Sequence, residues 1–182
     1  MYMNSKIINL FGGPGIGKST LASELFSVMK KMNCNVEITQ EYPKILAWEK
    51  NISSLTDQLY VLANQHRNIS RIYNQVEYII VDSPILLSNV YFEKYSNKDE
   101  YPTNFYDEIL SEFVVKLFKR YDNINFLLSR NDYFFNQSGR LQDLNESKTI
   151  DDEIKRILSN NNIQYNECEI NNDTIKKILE KI

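Results

Sequence analysis

The sequence predicts an α/β fold: a parallel sheet of five strands with helices on both faces and a lid segment. Three observations carry that prediction. Short apolar runs alternate with helix-period segments along the whole chain. One run, Tyr78-Ile79-Ile80-Val81-Asp82, is apolar enough to be covered on both faces. A glycine-rich turn joins the first run to the first helix, where a βα unit needs a sharp reversal.

Taken in order, Lys6-Ile7-Ile8-Asn9-Leu10-Phe11 reads as a buried strand, and Ser19 to Met32 as the helix after it. Asn35 to Thr39 is a second strand, with Gln40-Glu41-Tyr42-Pro43 at its carboxyl end. One long helix is expected from about Ser54 to Asn74, with Leu55, Leu59, Leu62, Ile69 and Ile72 on its apolar side. After the third strand, Phe105 to Tyr121 is amphipathic and helical, carrying Ile109, Phe113 and Leu117. Ile124 to Leu128 is the fourth strand and ends at Ser129-Arg130. Asn131 to Leu144 is polar and irregular, and a helix from about Glu146 to Asn160 follows. Ile163 to Ile170 is a weaker fifth strand, and Asp173 to Ile182 a closing helix.

Bulk properties bound the rest. At 182 residues the chain suits one domain, 1–182, with a lid at about 130–145. Its 42% hydrophobic and 25% charged residues are those of an ordinary globular protein. A formal charge of −3 gives no global attraction to nucleic acid, so any polynucleotide contact needs a local basic patch. Cys34 and Cys168 lack metal-type spacing and read as reduced thiols. No apolar run reaches the length of a membrane span, and Met1 to Ser5 leave no room for a signal peptide. The expected setting is the cytoplasm, a host's cytoplasm if the protein is viral, with no membrane partner. No repeat, low-complexity tract or linker is visible, and oligomeric state leaves no readable mark, a homodimer being one option.

The turn itself is Gly12-Gly13-Pro14-Gly15-Ile16-Gly17-Lys18-Ser19, which fits G-x-x-x-x-G-K-[ST] at every fixed position. Such a loop wraps backbone N–H groups around a polyphosphate, and the helix N-terminus adds roughly half a positive charge. Gly13, Pro14, Gly15, Ile16, Gly17, Lys18, Ser19 and Thr20 are the expected contacts to the nucleotide. Lys18 reaches the β- and γ-phosphates and Ser19 offers a hydroxyl to Mg²⁺. The competing reading, an ordinary glycine-rich turn, does not explain why strand, loop and helix fall in register. ATP and Mg²⁺ are the expected cofactors.

In a parallel sheet the ligand sits beyond the carboxyl ends of the strands. Those ends carry the phosphate loop, Gln40-Glu41-Tyr42, Asp82-Ser83-Pro84 and Arg130. Asp82 ends an apolar strand as a Walker B carboxylate does, and would hold Mg²⁺ directly or through water opposite Ser19. Its plainer role is a helix N-cap. Ser83 follows where motor ATPases place a water-activating Glu, which argues against a hydrolytic motor. Glu41 can accept the proton of an attacking hydroxyl; its plainer role is a surface charge or local cap. Tyr42 and Trp48 can stack on a flat ring, although aromatics more often serve the core. Gln58 and Gln65 lie near one helix face, where a partly buried amide bonds either a nucleobase edge or neighbouring backbone. His66, the sole histidine, reads as packed or exposed rather than catalytic. Arg67 can touch an anionic substrate, or simply be solvated. Arg130 and Arg140 bracket a polar flap whose guanidinium groups can close over phosphates, unless the loop is merely solvated.

Together these motifs resemble the P-loop kinase group of nucleoside and nucleotide kinases. More closely, they are similar to the small ATP-binding proteins of the AAA-domain type common in tailed-phage genomes, related to the nicotinamide riboside kinase domain. The residues that carry the likeness are Gly12 to Thr20, Glu41-Tyr42, Asp57-Gln58-Leu59-Tyr60 with Ala63-Asn64-Gln65-His66-Arg67, Asp82-Ser83-Pro84, and Arg130 with Gly139-Arg140. The resemblance spans roughly positions 6 to 160 and implies a three-layer P-loop NTPase fold. It also implies ATP and Mg²⁺ as donor, with phosphoryl transfer to a nucleoside-like hydroxyl or phosphate. Some phage relatives phosphorylate a hydroxymethylated pyrimidine within DNA, so a DNA acceptor stays open beside a nucleoside or nucleotide one. A regulatory NTP-binding switch with little turnover is the reading from another class. The chain lacks the Asp-Arg-[Tyr/Ser/His] run of thymidylate kinases after its third strand. Asn97-Lys98-Asp99-Glu100 only nearly imitates the guanine-reading N-K-x-D, which argues against a GTPase.

Overall fold

The structure, a computed structural model, describes residues 4–95, 103–130 and 143–182. Strands β1 (Lys6–Phe11), β2 (Val36–Thr39), β3 (Tyr78–Val81), β4 (Asp122–Ser129) and β5 (Asn166–Glu169) form one sheet in the order β2-β3-β1-β4-β5. All four pairings are parallel, with Ile8 of β1 opposite Ile80 on one side and Ile124 on the other. The helices are α1 (Lys18–Lys31), α2 (Tyr42–Trp48), α3 (Ile52–Thr56), α4 (Gln58–Ser70), α5 (Ser88–Tyr95), α6 (Thr103–Lys119), α7 (Leu144–Asn160) and α8 (Thr174–Leu179). A 3₁₀ turn at Ile85–Leu87 precedes α5.

Strand order decides which face each helix covers. The step from β1 to β2 runs one way across the sheet, and every later step runs the other way. Parallel crossovers keep one hand, so reversing the direction moves the connecting helix to the opposite face. α1 accordingly packs with α8 on one face, where Leu21, Ala22, Leu25, Met29 and Ile178 meet Ile8, Leu10, Ile80, Phe126 and Leu128. Residues of α4, α6 and α7 cover the other face, where Leu62, Ile69, Val114, Phe118 and Ile154 surround Ile7, Phe11, Ile79 and Leu127. The expected three-layer architecture is what the chain adopts. Its direction reverses at β1, so the crevice beyond the carboxyl end of that strand is where such a sheet holds a ligand.

One polar network runs through this apolar sheet. Asn9, 1% exposed, donates through Nδ2 to Asn123 Oδ1 at 2.9 Å and to Asn125 Oδ1 at 3.0 Å. Asn125 donates in turn to the Gln164 carbonyl, and Asn123 to the carbonyls of Phe118 and Tyr121. Buried amides must find partners, and these find them only in the observed β1–β4 register.

The structure corrects the expectations at several places. The helix expected over Ser54–Asn74 is two helices, because the Asp57 carboxylate accepts from Tyr60 N–H at 3.0 Å and caps α4. A carboxylate that bonds nearby backbone competes with helix continuation. Asn51 caps α3 in the same way through Ser54 N–H. Leu59 consequently faces outward, 39% exposed. On α6, Ile109 and Phe113 of the expected stripe are about half exposed while Leu117 packs partly buried against the core. The stripe one residue along, with Val114 and Phe118, is the one fully buried. Both stripes are apolar, so packing against the sheet chose between them. α2 and α5 occupy stretches for which no element was expected, and the 3₁₀ turn stands where a helical turn after Asp82 was the alternative reading.

Asn9→Ala is expected to lower unfolding free energy by about 1–3 kcal/mol, since a buried and a partly buried amide oxygen lose their donor. Urea titration of the variant against wild type checks this.

Candidate active site

Gly17 stands as the N-cap of α1 at φ 105°, ψ 9°, a conformation in which an L side chain is strained. Placing a glycine there lets the chain turn from loop to helix without a capping side chain, which leaves the first-turn N–H groups for a ligand. Lys18 opens the helix, and its ammonium folds back onto the loop, donating to Gly12 O at 2.6 Å and Gly13 O at 2.9 Å. Burial pushes the Lys18 ammonium below the usual lysine range. The carboxylates of Glu41, Asp82 and Asp151 oppose that shift, and the Arg130 guanidinium adds to it.

Those four partners come from four further parts of the chain, the ends of β2, β3 and β4 and the helix α7. Glu41 follows β2 and is the N-cap residue of α2, yet its side chain makes no capping bond. Asp82 follows β3, is 6% exposed, and its Oδ1 is buried with no hydrogen-bond partner among the described residues. It does not cap the 3₁₀ turn, whose N-cap is Pro84. Arg130 follows β4, with its side chain 8% exposed. Its Nε donates to Asp151 Oδ2, Nη2 approaches the Ser147 carbonyl at 3.5 Å, and Nη1 is buried without a partner among the described residues.

Asp151, on α7, was not among the residues expected from the sequence. Its other oxygen, Oδ1, accepts from Gly13 N–H at 2.5 Å. A Cβ on Gly13 would lie 2.6 Å from Ser147 O, 2.8 Å from Asp151 Oδ1 and 2.9 Å from Arg130 Nη2. The loop therefore closes onto α7 only because position 13 has no side chain. Strand-end reasoning does not reach a helix interior, so the sequence signal for Asp151 is weak.

The remaining expected residues divide. Pro14, Gly15 and Ser19 are half-buried in the loop and the first turn of α1; Ile16 is buried in the core and Thr20 is exposed. Gln65 Nε2 donates to Ser83 Oγ at 2.7 Å, which places its amide beside the end of β3. Gln58 Nε2 donates to the Leu55 carbonyl at 2.8 Å, the neighbouring-backbone alternative, and ties α3 to α4. Tyr42 meets Tyr60 edge-to-face at 5.7 Å, and the hydrogen bond between their hydroxyls pushes the Tyr42 phenol up to about 12. Trp48 is 65% exposed and Arg67 is exposed in the last turn of α4. His66 packs on Tyr121, before the start of β4 and so at the opposite end of the sheet from the phosphate loop. Arg140, most of the lid at about 130–145, and Asn97 to Glu100 lie outside the described residues.

Among the described residues no cluster of three His, Cys, Asp or Glu side chains forms a metal cage. Asp82 and Ser19 instead present one carboxylate and one hydroxyl beside the cradle. That donor set suits Mg²⁺, which takes one or two protein oxygens and completes its shell with phosphate and water. The orphaned Asp82 Oδ1 is the atom that fits such an ion.

A family model described as an AAA domain matches residues 7–174, nearly the whole sheet and its helices. The chain belongs to this AAA domain family. Among solved structures it is similar to deoxyadenosine kinase from M. mycoides in three states. With dATP bound the identity is 15% and the TM-score 0.61, over 96% of this chain and 98% of that one. With dCTP the values are 18% and 0.60, and with the products dCMP and a flexible dCDP 14% and 0.60, each over 96% of this chain and 97% of that one. At these identities the likeness establishes the shared fold. No curated protein matches the chain, and among the described residues no helix is long and apolar enough to cross a membrane.

Gly13→Ala is expected to cost about 1–3 kcal/mol of stability, because the added carbon meets a helix backbone oxygen that cannot rotate away. Thr20→Ala, on an exposed position, should stay within about 0.5 kcal/mol. Urea denaturation of both variants makes the comparison.

Proposed function

We propose that the chain is an ATP- and Mg²⁺-dependent phosphotransferase that moves the γ-phosphoryl group to a nucleoside or nucleotide-type acceptor. The observation that carries this reading is the convergence on one half-buried ammonium. Lys18 is electrostatically coupled to Glu41, Asp82 and Arg130, each from a different strand end. A nucleotide store needs the loop alone; a carboxylate beside the acceptor path and an arginine at the lid base serve a transfer reaction. The fold shared with a deoxyadenosine kinase supports the same reading. The Glu41-Tyr42 and Gln65 positions support placing the chain near the nicotinamide riboside kinase domain and its phage relatives.

In this reading the loop N–H groups and the α1 N-terminus bind the phosphates. Lys18 exchanges the carbonyls of Gly12 and Gly13 for phosphate oxygens. Asp82 and Ser19 hold Mg²⁺, which when bound neutralises charge on the β- and γ-phosphates. Glu41 orients the acceptor hydroxyl and takes its proton as the new O–P bond forms and the bond to the ADP oxygen breaks. Arg130 stands ready for charge on the transferring group, a role that can supply a rate factor on the order of 10³ or more. Charge supports a role for Mg²⁺: among the described residues three carboxylates, Glu41, Asp82 and Asp151, stand with two cations, Lys18 and Arg130, a balance that favours a polyphosphate accompanied by a divalent ion. Ser83, where motors carry a water-activating Glu, is instead hydrogen-bonded to Gln65, which supports transfer to an organic acceptor over hydrolysis.

Transfer of labelled γ-phosphate from ATP to a panel of nucleosides, nucleotides and hydroxymethyluracil-containing DNA tests the proposal. Labelling of a free nucleoside or nucleotide is the expected result. Labelling of the DNA alone identifies a base kinase, and tight ATP binding with no acceptor labelled identifies a switch. Lys18→Ala should abolish transfer. Glu41→Gln should lower kcat by about 10²-fold, within the range for general-base loss, with ATP affinity nearly unchanged by calorimetry; an equal loss of binding would make Glu41 structural.

A further inference from the structure

We propose that Asp151 is a positioning residue: its carboxylate locks the Arg130 guanidinium to the backbone of the phosphate loop, so that the arginine stands beside Lys18 before a nucleotide arrives. What Arg130 then does rests on the phosphotransferase reading; how it is held does not.

The carboxylate is placed by packing. Ile150, Ile154, Ile157 and Leu158 set α7 into the core on the face of β4 and β1. Asp151 follows the first of these and points to the junction of loop and strand end. Both its oxygens are spent on the protein, Oδ1 on Gly13 N–H and Oδ2 on Arg130 Nε. The ion pair is shielded, with side chains 8% and 16% exposed, where a charge-assisted bond holds geometry better than it does at a surface.

Arg130 is consequently divided. Nε is committed to Asp151 and Nη2 leans on the Ser147 carbonyl, while Nη1 is buried with no acceptor. A rigid guanidinium fork fixed at Nε cannot turn Nη1 elsewhere. The donor without a protein partner sits on a group close enough to Lys18 to influence it, where a phosphate oxygen is the acceptor the site lacks. Gly13 completes the fit, because the three atoms that crowd its missing Cβ are those of Asp151, Arg130 and Ser147. A bridge that served stability alone would need neither the loop contact nor the spare donor.

Asp151→Asn separates the two bonds. Its amide oxygen still accepts from Gly13 N–H, but its NH₂ faces the Arg130 Nε donor, so only the arginine is released. With MgATP and the acceptor that wild type phosphorylates, kcat should fall at least about tenfold while KM for ATP stays within about threefold. The same change in an Arg130→Ala background should alter kcat by less than about twofold, since the effect runs through the arginine. Asp151→Glu, which restores the charge, should recover part of the loss. A kcat for Asp151→Asn within twofold of wild type, or an equal fall in both backgrounds, overturns the proposal.

A second measurement needs neither activity nor a folded Asp151 variant. The Nε–H signal of Arg130 in ¹⁵N NMR, assigned by its absence from Arg130→Ala, should exchange slowly with water in nucleotide-free wild type. Exchange as fast as that of a solvated arginine refutes the clamp. If wild type labels no acceptor, the phosphotransferase reading fails, and the exchange rate still decides how Arg130 is held.

Discussion

A half-buried lysine ammonium at the carboxyl end of β1 is the constraint around which this molecule is arranged. Such a group survives burial only with acceptors and opposite charge close by. Lys18 has both: two carbonyls of its own loop and the field of three carboxylates. The carbonyls require the loop to curl over the helix start, which requires the left-handed Gly17. The carboxylates require β2, β3 and α7 to end or pass at the same place. Removing any one element would leave the cation less compensated, so the loop and the sheet order cannot be considered separately.

Sheet order supplies the convergence. Because β1 is central, β3 and β4 flank it directly, and Asp82 and Arg130 emerge on either side of the phosphate loop. Glu41 follows β2, one strand further out on the same rim. The Asn9–Asn123–Asn125 network matters here because it sits between β1 and β4. A slip in that pairing would bury unpaired amides and also carry Arg130 away from Gly13. The same network that specifies register thus specifies the site.

Much of this was legible in the sequence, for identifiable reasons. β1 and the phosphate loop rest on local chemistry, a run of buried aliphatics followed by glycines at fixed spacing, and no tertiary choice intervenes. The position of Asp82, Glu41 and Arg130 beside the loop was legible because strand ends point to one rim whatever the details of packing. Where the outcome depended on competition, the sequence was ambiguous. Two apolar stripes on α6 were equally eligible, and only the sheet beneath decided between Ile109 with Phe113 and Val114 with Phe118. The α3–α4 break turned on whether Asp57 would bond its own backbone, and an aspartate does so at a helix start but not reliably within one. Asp151 was invisible because its partners are 138 and 21 residues away along the chain. Nothing local distinguishes it from Asp152 beside it.

The two aspartates of the rim show how hydrogen-bond accounting assigns work. Asp151 has both oxygens satisfied by protein donors, Gly13 N–H and Arg130 Nε. Asp82 is at least as buried, yet Oδ1 has no partner. Burying an unsatisfied carboxylate oxygen is expensive, and a fold that could pair one aspartate so completely had the means to pair the other. The same contrast appears within Arg130, between the committed Nε and the unpartnered Nη1. On this rim the satisfied atoms hold the protein together. The unsatisfied ones, an anion's oxygen and a cation's N–H, are complementary to the two halves of a metal-bound phosphate.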